Sequence, residues 1–175
     1  MMSNGPWLNE RELAAWVRLV AVTELLPGVL DSQLRRDDGL MHFEYFVLAT
    51  LSEADDHTLQ MRDLAGRTNA TLPRLSHVVR RLEERGLVMR TPCPQDKRAT
   101  NASLTEAGWA TVRAAAPAHA ATVREHVIDA LSPEQVDKLR DIAAAILTRL
   151  DPDETMAPAY TRYDQADASG DAPGD

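Results

Sequence analysis

The 175-residue sequence is poor in cysteine and glycine, with one cysteine and eight glycines. A single cysteine, Cys93, excludes an intrachain disulfide framework and a multi-cysteine metal cluster. No glycine-rich phosphate loop, G-x-S-x-G or H-E-x-x-H motif is present. His119 and His126 lie seven residues apart without a third nearby ligand. We therefore expect a protein that is not an enzyme and has no cofactor and no metal, with Cys93 an ordinary surface thiol.

Long apolar runs are also missing. No stretch approaches about 18 consecutive apolar residues, the length that a membrane-spanning helix needs. The N-terminal segment MMSNGPWLNEREL has acidic residues where a secretory signal would have Lys or Arg. We expect a cytoplasmic protein with no membrane contact. After Leu150 aliphatic residues almost disappear, so residues 151–175 are predicted to form a disordered acidic tail.

The net charge of −8 is distributed unevenly along the chain. Residues 62–98 contain nine basic and four acidic residues, a net of +5, whereas residues 151–175 carry a net of −6. Phosphates respond to the field within about 10 Å, so the local charge matters more than the total. The basic middle segment therefore suits a nucleic-acid partner.

Hydrophobic periodicity predicts a mainly helical domain. Asn9 and Glu12 form a capping box that starts a helix to about Arg36, with a kink at Pro27. Three further helices are predicted in MHFEYFVLATLSEAD, LQMRDLAGR and LPRLSHVVRRLEERG. The last two are joined by the tight turn TNAT, which outlines a helix-turn-helix.

Two more helices are predicted in the C-terminal half. Thr105 caps a long helix that continues to Ala130, with Pro117 at a bend. Ser132 caps the second, which keeps its helical period to Leu150.

The helix LPRLSHVVRRLEERG has an apolar stripe and a basic side. At about 100° per residue, the apolar residues Leu75, Val78, Val79 and Leu82 share one face. The opposite side carries the basic residues Arg74, His77, Arg81 and Arg85, with Arg80 on the flank. Pro73 fits the first turn, and Gly86 fits a left-handed cap. A helix of this shape fits a major groove about 12 Å wide, where arginine can contact guanine.

The segment PCPQDKRATNASLTEAG follows this helix and reads as a two-stranded hairpin with a basic tip. Such a hairpin reaches the neighbouring minor groove, whose negative potential favours an inserted arginine. Arg98 is the candidate for insertion, Asp96 can brace it, and Lys97 can contact phosphate. Arg90 is a further candidate contact, although Arg85 and Arg90 could each instead pair with Glu83, Glu84 or an acid elsewhere in the chain.

The motifs RLEERGLV (81–88) and DKRATNASLTEAG (96–108) resemble those of the MarR family of bacterial winged helix-turn-helix regulators. The resemblance covers roughly Trp16 to Leu150. It implies a mainly α fold with a small β-hairpin wing, dimerised through its N- and C-terminal helices. It also implies a homodimer on a double-stranded, pseudo-palindromic DNA operator. In the family pattern Arg98 matches the wing-tip arginine and Asp96 the acid that orients it.

The resemblance implies a set of site residues and a domain organisation. The DNA-binding residues would be Pro73, Arg74, His77, Arg80, Arg81, Arg90, Asp96, Lys97 and Arg98. A small aromatic effector would bind near Trp16, His42, Tyr45 and Phe46. The domains would be a dimerisation helix (1–40), a DNA-binding lobe (41–104), C-terminal dimerisation helices (105–150) and the tail (151–175). The family usually has Ser or Thr at the positions of Pro73 and Arg74. The operator sequence therefore cannot be inferred from other members of the family.

The most direct interpretation is a ligand-responsive transcriptional repressor. An alternative is a winged-helix protein-interaction module without sequence-specific DNA binding, which would use its acidic flanks. A third interpretation has the acidic tail docking on the basic face of its own chain, in place of DNA.

Overall fold

The computed structural model describes residues 7–94, 96 and 98–163. Within them the chain forms seven α-helices and three strands, with short 3-10 turns at Asp55–His57 and Ile128–Ala130. The helices are α1 (Glu10–Asp38), α2 (His42–Ser52), α3 (Met61–Arg67), α4 (Leu72–Glu84), α5 (Glu106–His126), α6 (Pro133–Leu150) and α7 (Ala157–Tyr160). The strands are β1 (Thr58–Gln60), β2 (Val88–Pro92) and β3 (Thr100–Leu104). This is a mainly α fold with a winged helix-turn-helix, as the sequence predicted.

Helix α1 begins and ends as its sequence dictates. The Asn9 side chain accepts a hydrogen bond from the Glu12 backbone N–H, and Glu12 accepts one from Asn9, so the predicted capping box is confirmed. The helix continues through Pro27 and ends at Gly39, whose φ of 62° is a left-handed cap. Only its C-terminal part is buried, at Leu30, Gln33 and Leu34.

Helices α2, α3 and α4 enclose the core with the end of α1 and the start of α5. The buried cluster contains Leu34, Leu40, Val47, Leu48, Leu51, Met61, Leu64, Leu75, Val79, Leu82, Val88 and Val112, among others. Asn69, with φ of 48°, makes the tight turn between α3 and α4. The predicted core stripe of α4 is confirmed, with Val78 partly buried beside it.

The wing is larger than the predicted hairpin. β2 and β3 pair antiparallel, and β1 adds a third strand on the other side of β3, with Leu59 opposite Ala102. The prediction of a helix from Leu59 is therefore wrong at this residue. At three residues, β1 is too short to show alternation of its own, and its pairing with β3 is what makes it a strand.

Helix α5 runs through Pro117 and stops at His126, before a separate 3-10 turn that the sequence analysis had included in the helix. Ser132 and Gln135 form the predicted capping box of α6. No residue of α6 is buried, and it makes only marginal contacts with the other described elements. Its apolar residues Leu139, Ile142, Ile146 and Leu150 are exposed.

Residues 151–163 differ from the predicted disordered tail. They form a strap that leads from the end of α6 to α3, where α7 packs. Asp151 accepts hydrogen bonds from the Thr155 and Met156 backbone N–H groups and from the Tyr160 hydroxyl, each at 2.9–3.0 Å. Arg162 forms an ion pair with Glu53 at 2.9 Å. Local polar bonds therefore order a segment with little apolar surface, and residues 164–175 lie outside the described part of the chain.

Candidate nucleic-acid interface

Helix α4 presents its N-terminal half to the surface. Thr71 Oγ1 accepts a hydrogen bond from the Arg74 N–H at 3.4 Å, and Pro73 occupies the first turn, where its missing N–H leaves no bond unmade. Ser76, His77 and Arg80 are exposed on the side opposite the buried stripe. Polar and basic groups therefore cover the outward face of this helix.

The basic residues of α4 divide into two rows instead of forming the single stripe that the helical wheel predicted. His77 and Arg80 face outward, and Arg80 Nη2 lies 3.1 Å from His77 Nδ1. Arg74, Arg81 and Arg85 form the second row, which faces α2. Helical periodicity predicted where these residues lie around α4, but it could not show which element packs against each row.

The arginines of the second row contact residues of α2. The Arg74 guanidinium lies over the Phe43 ring, 4.2 Å from its centroid. Glu44, which is 1% exposed, forms ion pairs with Arg81 at 3.1 Å and Arg85 at 3.6 Å. Arg81 therefore contacts a buried carboxylate, although the sequence analysis had assigned it to DNA.

The wing tip carries the predicted acid and arginine. Asp96 Oδ1 accepts a hydrogen bond from the Arg98 backbone N–H at 2.9 Å, and the Asp96 carbonyl accepts one from the Ala99 N–H. Asp96 thus shapes the turn through the backbone. Arg98 is exposed, and Lys97, the predicted phosphate contact, lies outside the described residues.

Arg90 connects the wing to α4. Its side chain donates to Glu83 Oε2 at 2.9 and 2.5 Å, and its backbone N–H donates to Glu83 Oε1 at 3.2 Å. These hydrogen bonds lower the pKa of Glu83 below its usual value. The pairing that the sequence analysis offered as the alternative role of Arg90 is therefore present.

A hollow of about 250 Å³ lies between α4, the start of α3 and the wing. Its lining includes three arginines, Arg62, Arg90 and Arg98, together with Leu72 and Ser76. Arg62, Leu72 and Ser76 were not among the predicted site residues. Arg62 was visible only as part of the basic segment, because its place beside the wing depends on how β1 pairs with β3.

A second polar cluster lies between α1, α2 and α5. The His119 ring lies 4.6 Å from the Tyr45 ring and 6.1 Å from the His42 ring, and the His42 backbone N–H donates to Asp31 at 2.9 Å. Among the described residues, His119 Nδ1 and Asp38 Oδ2 are buried without a hydrogen-bond partner. Two predicted effector residues, His42 and Tyr45, are thus brought together with His119.

Burial changes the acidity of this cluster. It lowers the pKa of His42, an effect that Asp31 opposes. Burial and then the proximity of His42 lower the pKa of His119, while Asp38 opposes the change. Burial also raises the pKa of Tyr45. All three groups therefore favour their neutral forms near pH 7.

Two other predicted effector residues are not part of this cluster. Trp16 is 54% exposed and, at 1.5 Å per residue, lies about 22 Å along α1 from Asp31. Phe46 is partly buried on α2 but has no ring contact with the His42, Tyr45 and His119 cluster.

Cys93 is buried, at 2% exposure, which corrects its prediction as a surface thiol. The Gln60 amide lies 3.6 Å from its sulfur, at the junction of β1 with the wing. No group of three or more His, Cys, Asp or Glu residues suited to a metal ion occurs in the described ranges 7–94, 96 and 98–163.

Comparison with known proteins places this architecture in a family. The family model for MarR matches residues 41–100, which contain α2, the helix-turn-helix and the wing as far as the first residue of β3. The crystal structure of Sco3205, a MarR family transcriptional regulator from Streptomyces coelicolor in complex with DNA, is similar with a TM-score of 0.81 and 40% identity. The match covers 87% of this chain and 96% of that one.

Curated relatives agree with this structural match. The HTH-type transcriptional regulator MhqR of Bacillus subtilis (strain 168) is 33% identical over 130 residues, which is 74% of this chain and 87% of MhqR. The transcriptional repressor MprA of Escherichia coli (strain K12) is 28% identical over 125 residues, 69% of this chain and 68% of MprA. The chain belongs to the MarR family and is a transcriptional regulator.

Proposed function

We propose that this regulator binds a pseudo-palindromic operator as a homodimer and represses transcription by blocking the promoter. Each α4 lies in a major groove, with His77 and Arg80 toward the base edges. Each wing places Arg98 in the adjacent minor groove. Repression of this kind needs no catalysis, and a chromosomal target requires a cytoplasmic protein. The observation that carries the proposal is the continuous surface from the exposed face of α4 to Arg98.

The concave surface beside the wing supports the assignment of phosphate contacts. Arg62 and Arg98 bring positive charge to a hollow between the two parts that enter neighbouring grooves. The DNA backbone separates those grooves, so a phosphate strand crosses this hollow when both parts are engaged. Arg90 also lines it, but Glu83 already neutralises much of its charge. Arg62 therefore makes the main phosphate contact there, beside the Arg98 that enters the minor groove. Lys97 remains a proposed phosphate contact on the basis of sequence.

The exposed apolar surface of the protomer supports the homodimer. Leu13, Val22 and Leu25 of α1 are 48%, 55% and 71% exposed, and Leu13 and Val22 point to opposite sides of the helix. A helix that is apolar all round belongs inside an assembly. The exposed residues of α6 provide a second apolar surface. A second copy that inserts between α1 and α6 covers both apolar surfaces. In this arrangement residues 1–40 and 105–150 form the dimer interface, and residues 41–104 bind DNA.

The same helix also meets a simple test for a membrane span. An 18-residue window of α1 has a mean hydropathy of 1.6 and at most two charged residues. Its C-terminal part, however, packs on α5 and contributes Leu34 to the core of the DNA-binding lobe. We assign the apolar surface of α1 to the dimer, because that assignment also explains the exposed face of α6.

The cluster of His42, Tyr45 and His119 supports an effector site. It lies where the dimerisation helices α1 and α5 meet the DNA-binding lobe, and His119 Nδ1 and Asp38 Oδ2 have unused hydrogen-bonding capacity. A small aromatic compound with a hydroxyl group could stack on the rings and bond to these atoms. Binding that changes the angle between α1 and α2 alters the spacing of the two α4 helices and releases DNA.

Fluorescence anisotropy with a salt series tests the proposal. The probes are duplexes that tile the DNA flanking the protein's own gene, with a scrambled duplex as reference. We expect one site to bind at least about 10³ more tightly than the reference, with affinity that falls steeply with salt. His77→Ala and Arg80→Ala should each weaken that site at least about tenfold. Arg124→Ala, at the exposed end of α5, is the matched control and should leave both the molecular mass of the dimer and the operator affinity unchanged.

Equal, weak binding to every duplex would contradict the proposal and favour the protein-interaction module. Sedimentation of the native protein with membranes would contradict the dimer assignment of α1.

A further inference from the structure

We propose that Glu44 is a positioning residue of the DNA-reading surface. By pairing with Arg81 and Arg85 it fixes the orientation of α4 for the major groove, and it keeps these two arginines away from DNA. The inference rests on the proposed function, since it concerns how the same surface reads DNA. It changes which basic residues of α4 contribute contacts and which support the helix.

Both carboxylate oxygens of Glu44 are engaged. Oε2 accepts a hydrogen bond from the Met41 backbone N–H at 2.9 Å and lies 3.6 Å from Arg85 Nη1. Oε1 lies 3.1 Å from Arg81 Nη2. The residue is 1% exposed, whereas the Arg81 and Arg85 side chains are 41% and 38% exposed. A buried carboxylate is therefore paired with two cations that reach it from the surface.

Burial makes this pairing necessary. Among the described residues, Oε1 has no hydrogen-bond donor within bonding geometry, so the Arg81 ion pair is its compensation. Removing one partner of a buried pair leaves the other charge uncompensated, which is strongly unfavourable. If Arg81 moved to a phosphate, it would leave the Glu44 charge buried and poorly paired. The cost of that change favours Arg81 remaining on Glu44 in the DNA complex.

The network connects three elements. Arg85 Nη1 also donates to the Gly39 carbonyl at 3.2 Å, at the point where α1 ends. Arg74, two turns before Arg81 on α4, stacks on Phe43, the residue next to Glu44. Adjacent residues of α2 therefore hold both the first turn and the C-terminal half of α4. This double attachment limits rotation and tilt of α4, the motions that would move His77 and Arg80 away from base edges.

A direct-contact role for Arg81 gives a different salt dependence. Each phosphate contact contributes about 0.9 to the slope of log affinity against log salt concentration. Loss of Arg81 contacts from both protomers would lower the slope by about 2. Loss of a positioning pair leaves the phosphate contacts in place, so the slope is kept while the preference for the specific site falls.

The experiment compares Glu44→Gln, Arg81→Met and the double variant in the full chain. The probes are the tightest duplex from the tiled set and its scrambled counterpart, each titrated over a salt series. We expect both single variants to lose at least about tenfold in the ratio of specific to scrambled binding, with no decrease in the salt slope. The double variant should lose less than the two single losses combined, because each removes the same interaction.

Arg80→Met is the matched control, since Arg80 is the adjacent arginine on the outward face of α4. Its substitution should lower the salt slope or the preference for the site and should combine additively with Glu44→Gln. Circular dichroism and molecular mass monitor folding and dimer formation. Should Glu44→Gln fail to fold, the salt slopes of Arg81→Met and Arg85→Met decide the matter by themselves.

A slope lowered by about 2 in Arg81→Met would overturn the inference and make Arg81 a phosphate contact. Wild-type affinity and site preference in folded Glu44→Gln would overturn it too. Failure of the wild-type protein to prefer any duplex would instead contradict the proposed function, so the two failures are distinguishable.

Discussion

Asp96 braces Arg98 through the main chain, because its carboxylate accepts the Arg98 backbone N–H at 2.9 Å. The acid therefore fixes the turn, and the arginine supplies the charge. We expect Arg98→Ala to weaken operator binding at least about tenfold and to lower the salt slope by about 2 for a dimer. Asp96→Ala should weaken binding with an unchanged slope. Asp96→Asn keeps the acceptor oxygen and should remain close to wild type in the same anisotropy titrations.

The exposed apolar residues of α1 and α6 predict a dimer that charge can disrupt. Leu25→Lys and Ile142→Lys each place a charge on this surface, where the wild-type side chains are 71% and 60% exposed in the protomer. We expect each to raise the dimer dissociation constant at least about tenfold in analytical ultracentrifugation. Met89→Lys, at a similarly exposed apolar position on β2, is the control. A dimer unaffected by both substitutions would place the interface elsewhere.

The cluster of His42 and His119 predicts a pH dependence of folding stability. Both pKa values are lowered in the folded protein, mainly by burial. Below about pH 6.5 the unfolded chain binds more protons at these positions than the folded chain, so stability falls as the pH decreases through this range. The charged groups that face the cluster are Asp31 and Asp38, and both oppose the lowering.

Urea unfolding at about pH 7.5 and about pH 5.0 measures this effect. We expect the midpoint to fall at the lower pH, and to fall less in the His42→Gln/His119→Gln double variant. His126→Gln, on the exposed end of α5, should retain the wild-type decrease. An equal decrease in all three proteins would show that other groups cause it.

Two glycines in helices should respond in opposite directions to alanine. A Cβ atom at Gly108 would collide with the Leu87 carbonyl oxygen and lie 2.7 Å from Leu104 Cδ1, whereas one at Gly28 would have no neighbour within 4 Å. Gly108→Ala should cost about 1–3 kcal/mol of unfolding free energy through overpacking. Gly28→Ala should contribute about 0.5–1 kcal/mol, because alanine restricts the unfolded chain more. Thermal and urea unfolding distinguish the two, and a stable Gly108→Ala would mean that the wing shifts away from α5.

Elements that carry their own signals could be predicted from the sequence. The capping boxes at Asn9 and Ser132, the apolar stripe of α4 and the left-handed Gly86 depend on residues close together in the chain, and all four are present. The DNA-facing role of Arg98 was likewise inferred from a local motif, DKRATNASLTEAG, and it stays a prediction.

Features that depend on tertiary neighbours could not be predicted. Glu44 lies in a helix with strong apolar periodicity, and nothing in that pattern indicates that its carboxylate pairs with residues 37 and 41 positions further along. Composition likewise did not indicate the role of Asp151, whose bonds to Thr155 and Tyr160 order a segment with few aliphatic residues. In both places hydrogen bonds and ion pairs decide the structure, and periodicity measures only apolar burial.

The strap of residues 151–163 closes a loop of chain, because it connects the end of α6 back to the DNA-binding lobe. The chain leaves the DNA-binding lobe along α5, turns back through α6 and touches the lobe again where α7 packs on α3 and Arg162 pairs with Glu53. A loop with two attachments resists twisting that a single connecting helix would allow. We therefore expect movement of α6 in the proposed dimer to reach the helix-turn-helix by two routes, one through α5 and the wing and one through α3.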